Sequence, residues 1–143
     1  MTRLQGFVAL TGRVLLCAIF LMAAVGNKIP HFSSVAQVMA SRGIPQPKLM
    51  LAGAIVFLLA GSLSVIAGYW ARIGASLLLV FLVLATYYFH NFWAIAEAQA
   101  QQEQMIQFMK NLSMMGAMVF LIANGSGPMS LDTVIPRKQG AKS

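Results

Sequence analysis

At 143 residues the chain has room for one ordinary domain and not two. Hydrophobic residues make up 59% and charged residues 9%, against roughly 45–50% and 25% in soluble globular chains, which excludes a water-solvated globule of this size. The net charge of +7 comes from basic residues scattered over the ends of apolar segments. No basic face or nucleic-acid motif exists, so the natural partner is a lipid bilayer and not nucleic acid.

The first predicted span covers residues 7–26 and carries Arg13 inside it. Asn27, Lys28 and Pro30 end it, since proline cannot donate to a continuing helix. A cleaved leader is the competing reading, with Arg3 as its basic start and Val14 to Val25 as its apolar stretch. Arg13 interrupts that stretch, and no convincing small-x-small cleavage site precedes Pro30. A polar connection follows from Pro30 to Lys48. Val35, Val38 and Met39 predict a short interfacial helix within it.

From Leu49 to Ala71 there is no charge, and from Ile73 to Ala96 there is none again. At about 1.5 Å per residue each run can cross a hydrocarbon layer of about 30 Å as a helix. The second span is set at residues 49–70 and the third at 72–96, joined by a tight turn and therefore antiparallel. Gly53, Ala60, Gly61, Ser64, Ala67 and Gly68 give the second span small positions for close helix packing. Tyr69 and Trp70 suit a membrane–water boundary. Glu97 to Gln104 reads as a polar loop. The fourth span, residues 105–123, is interrupted by Lys110 and Asn111. Asn124, Gly125, Gly127 and Pro128 break it. The expectation is an all-α, four-transmembrane-helix bundle over residues 1–132, with a basic flexible tail at 133–143. Four crossings put both termini on one side with Arg3, Arg72, Arg137, Lys138 and Lys142, which predicts cytoplasmic termini in the inner membrane.

In lipid, an ionisable side chain is costly and marks a candidate site. Arg13 and His90 are the deepest. Arg13 either snorkels to head groups or clamps the bundle by hydrogen bonds, and no acid lies at its depth. Thr86, Tyr87, Trp93, Ala94 and Glu97 share the face of His90 on the third span. By depth, Asn27, Lys28, Lys110 and Asn111 converge with His90, Tyr87 and Trp93 on a head-group site. Aromatic walls, an imidazole and amide donors suit a quinone or a similar lipid-soluble ring. With one cysteine, two histidines and three acids, neither a disulfide nor a closed zinc site is expected, and no intrinsic cofactor is.

These residues resemble the DoxX family of small four-helix membrane proteins. The resemblance is carried by Arg13, Phe20 and Gly26-Asn27-Lys28, then Gly43-Ile44-Pro45, Ala60-Gly61 and Arg72. It continues through Thr86 to Trp93, Lys110-Asn111-Leu112, Gly125-Ser126-Gly127-Pro128 and Ser130-Leu131-Asp132. One departure concerns the second helix. Many relatives place a glutamate four residues before the glycine matching Gly61, where this chain has Phe57. The resemblance implies a membrane subunit of a thiosulfate:quinone oxidoreductase, a partner of a soluble or membrane redox protein, or a chaperone-like or cargo-binding four-helix protein, and it does not by itself establish an enzyme. The alternative is a non-catalytic scaffold, assembly factor or lipid-binding protein, either of which a homo-oligomer would accommodate.

Overall fold

A computed structural model describes residues 2–135 of the chain. The predicted tail lies outside the described residues from 136 onward. Helix α1, Arg3–Leu21, opens on Thr2, whose hydroxyl accepts from the Gln5 amide at 3.3 Å. The Gln5 side-chain oxygen accepts in turn from the Thr2 amide at 2.9 Å. This reciprocal cap starts the helix four residues before the predicted position 7. The helix does not stop at Gly26. It widens into a π-helical stretch, Met22–Lys28, closed by the Ile29 amide on the Ala24 carbonyl at 2.9 Å. The whole rod runs Arg3–Lys28.

Helix α2, Phe32–Ser41, is the short connecting helix, with Ala36 and Met39 buried against Leu51. Helix α3, Pro47–Ala67, has proline in its first turn, where the missing N–H costs nothing, and ends at Gly68 in the left-handed region (φ 65°). Helix α4 is Ala71–Phe89. It is shorter than the predicted 72–96 because His90 (φ −123°, ψ 34°) leaves helical geometry. A single 3₁₀ turn, Phe92–Ala94, follows. Helix α5, Ala98–Asn124, is longer than the predicted 105–123. The Glu97 carboxylate accepts from the amides of Gln99 and Ala100 at 3.0 and 2.7 Å, so the Ala- and Gln-rich stretch read as a loop forms the first turns of α5. Lys110 and Asn111 do not interrupt it. Helix α6, Leu131–Val134, is one turn.

Among the described residues four helices are long and apolar enough to cross a membrane. Helix α1 packs on α3, α3 on α4 and α4 on α5, while α2 lies against α3. One core joins all four spans through Cys17, Phe20, Leu58, Val65, Leu78, Leu82 and Met118. Large apolar side chains cover the outside: Leu15 is 70% exposed and Phe120 67%. Water would penalise that surface, whereas lipid tails match it. Helix association then depends on close packing. Helices α3 and α4 approach closely at Gly61 and Gly74, where a Cβ on either would stand 2.9 or 2.8 Å from the other's carbonyl oxygen.

Candidate functional site

Polar chemistry collects at the two ends of the bundle. At the end shared by the chain termini, Arg13 is 3% exposed. Its Nη2 donates to the Met129 carbonyl at 2.6 Å and its Nε to the Ala9 carbonyl at 3.4 Å. Of the two sequence readings of Arg13, the geometry is that of the clamp. Nη1 is enclosed with no hydrogen-bond partner among the described residues and lies in the space left by the absent side chain of Gly68. The segment after α5 folds back over this end. The Asp132 amide donates to the Gly68 carbonyl at 2.9 Å, and its carboxylate accepts from the Trp70 and Ala71 amides at 3.2 and 3.4 Å. A carboxylate is thereby placed on the positive end of the α4 dipole. Arg72 makes the complementary contact, donating to the Ala123 carbonyl at the C-terminal end of α5 at 3.3 Å. An open cleft of about 940 Å³ lies beside these residues, lined by Trp70, Arg72, Gly125, Ser126 and Asp132 among others.

At the other end the predicted site residues separate. His90 caps α4 and its Nδ1 lies 2.8 Å from Gln104 Oε1, which ties the end of α4 to the start of α5. Asn111 is buried and donates to the Thr86 hydroxyl at 2.9 Å. Lys28 places its ammonium 5.4 Å from the ring centroid of Phe81. Lys110 is exposed on α5. Tyr87 and Trp93 do share a cleft, of about 260 Å³, with Tyr88, Asn91 and Arg42. The continuous face expected from Thr86 to Glu97 does not form, because the helix ends at Phe89. That break turns Asn91 and Trp93 toward the cleft side while His90 bonds Gln104. Sequence reasoning missed Arg42. It reaches the site from α2's C-terminal cap and lies 5.8 Å from the Phe89 ring. The only signal was a cation just after a short helix that had to fold against the bundle. The aromatic wall is built edge to face: Tyr87 on Tyr88 at 5.1 Å, and Phe92 and Trp93 on Phe108 at 5.3 and 6.1 Å.

The model of the DoxX family matches residues 8–91, from the first turns of α1 through the end of α4. The chain belongs to the DoxX family. The inner membrane protein YphA of Escherichia coli (strain K12) is 32% identical over 124 residues, covering 86% of each chain. The inner membrane protein YqjF of the same organism is 28% identical over 138 residues, covering 96% of this chain and 99% of its own. No solved structure matches. With four spans and relatives of this kind, this DoxX-family chain is a multi-pass protein of the inner membrane.

Proposed function

We propose that this DoxX-family protein is a redox-associated membrane subunit that binds a quinone or a similar ring with a lipid-soluble tail. The supporting observation is the cleft at the end of α4. Tyr87, Tyr88 and Trp93 offer ring faces and edges, while Arg42 and Asn91 offer hydrogen-bond donors to a carbonyl oxygen. The cleft lies at the end of a span, where the polar head of an amphipathic molecule rests while its tail stays in lipid. Within this reading His90 and Gln104 position the wall, Tyr87 and Trp93 contact the ring, and Asn111 fixes α5 against α4. Lys28, Lys110 and Arg13 stand outside the cleft lining. Electrons would be delivered by a partner protein, because the ring supplies the redox chemistry and this chain supplies its seat.

The two tryptophans make the test simple, since Trp70 and Trp93 occupy opposite ends of the bundle. A short-chain quinone should quench the fluorescence of the Trp70→Phe protein saturably and leave the Trp93→Phe protein unquenched. Arg42→Ala and Asn91→Ala should each weaken the effect about tenfold, the value of one good polar contact. Equal quenching of both single-tryptophan proteins, or none, would overturn the reading.

A second reading, an assembly factor or scaffold, is favoured by the larger cleft around Trp70 and Arg72, which is wide and open enough to seat part of another protein. It predicts a protein that co-purifies in mild detergent and is lost on Arg72→Glu.

A further inference from the structure

Lys28 ends the π-helical stretch Met22–Lys28, and its side chain reaches across to the Phe81 ring of α4. A lysine at the end of a span ordinarily sends its ammonium out to the head groups, where water and phosphate hydrate it. Here Nζ lies over Phe81, eight residues before the end of α4 at Phe89, hence about 12 Å below that end. One ring face is a weak partner for an ammonium, and three N–H donors remain. No hydrogen bond or ion pair reaches Lys28 among the described residues. The three acids of the chain are placed elsewhere. Glu97 caps α5, Glu103 is exposed on the first turns of α5, and Asp132 caps α4 at the opposite end of the bundle.

Helix α1 reaches this position through π turns, a departure from α-geometry that recurs at functional sites. The widened turns and the cation over Phe81 are two separate features of one spot. The spot is open to lipid, because Lys28 is only half-buried. Leu84, one turn beyond Phe81, is 54% exposed, and Val25, just before Lys28, is 57% exposed. Each lies about one turn from the cation–ring pair and offers exposed apolar surface to a hydrocarbon chain whose head reaches Nζ.

We infer that Lys28 and Phe81 form a binding site for the carboxylate of a long-chain lipid anion, entering sideways from the bilayer between α1 and α4. The carboxylate accepts from the ammonium and supplies the negative charge that the spans lack. The methylene chain packs on Val25 and Leu84. The site is separate from the Arg42–Trp93 cleft, so it stands whether or not a quinone binds there.

The test uses the full-length protein in phosphatidylcholine nanodiscs, with spin-labelled stearic acid and its methyl ester as probes. The acid should show a motionally restricted population with a dissociation constant at least tenfold below that of the ester. Lys28→Met should abolish the difference, Lys28→Arg should retain it, and Lys48→Met, an exposed lysine at the same end of the bundle, should leave it unchanged. Should Lys28→Met fail to fold, Lys28→Gln and the acid-against-ester comparison on the native protein decide. Equal affinity for acid and ester, or a preference that survives Lys28→Met, would overturn the inference. So would a preference that falls equally in Lys48→Met, which would mark general surface charge.

Discussion

A guanidinium taken into an apolar bundle is destabilising to the extent that its donors go unmet; Arg13 satisfies Nε and Nη2 with main-chain carbonyls and no acid, while Nη1 stays enclosed without a hydrogen bond among the described residues. The bond to Met129 joins positions 116 apart in sequence, so its partner could not be read from residues near Arg13. Its depth could, because an arginine within an apolar run stands out by charge alone. Arg13→Ala should lower stability by about 1.5–3 kcal/mol, the worth of a hydrogen bond to a charged group. Thermal unfolding in detergent measures this, and faster protease cleavage around Pro128 should accompany it. Gly68 answers to the same contact. It holds φ 65°, and a Cβ there would run into Arg13 Nη1 and Ser130. Gly68→Ala is therefore expected to cost more than the roughly 1 kcal/mol that a left-handed alanine alone would add, seen as a drop in the unfolding midpoint. A glycine at the end of an apolar run announced a turn. That the same glycine makes room for a cation needed the fold.

Helices α4 and α5 show how far pattern carries at the level of elements. Asn111 looked like an interruption of the fourth span, yet it lies inside a continuous helix because Thr86 supplies an acceptor from α4. A double-mutant cycle of Thr86→Val and Asn111→Leu should return a coupling near 0.6 kcal/mol, and no more than about 1.7, the range found between membrane helices. Helix α3 and α4 should be far more sensitive to bulk. Gly74→Val sets a branched side chain against the Gly61 carbonyl and should cost more than about 2 kcal/mol in detergent unfolding. The apolar runs made the spans themselves legible, because lipid demands length and apolarity before anything else. Their ends were less so. Glu97 capping α5 and His90 ending α4 are decided by individual side-chain bonds, which hydropathy does not sense.

The four spans form a chain of neighbours, with α2 laid against α3 and the segment after α5 folded across the opposite end. Basic residues favour the side of the termini, so a fluorescent reporter fused after Ser143 should light up in the cytoplasm. A phosphatase fused in the α4–α5 connection should be active outside. The reverse pattern would invert the topology and place the Arg42–Trp93 cleft on the cytoplasmic face. Composition and periodicity alone carried the bundle and its number of crossings. The two clefts were hidden, since each is assembled from positions far apart in the chain, as Arg42 beside Trp93 illustrates.

The grip of Arg13 on Met129 bears on how the molecule is made. The first helix leaves the ribosome long before its acceptor does, so the early spans enter the translocon holding a cation without its carbonyl. That carbonyl belongs to the segment between α5 and α6, which folds over this end of the bundle. Chains that stop after Asn124 should be exposed to membrane proteases and vanish rapidly in a pulse-chase experiment, although every crossing they need is already synthesised.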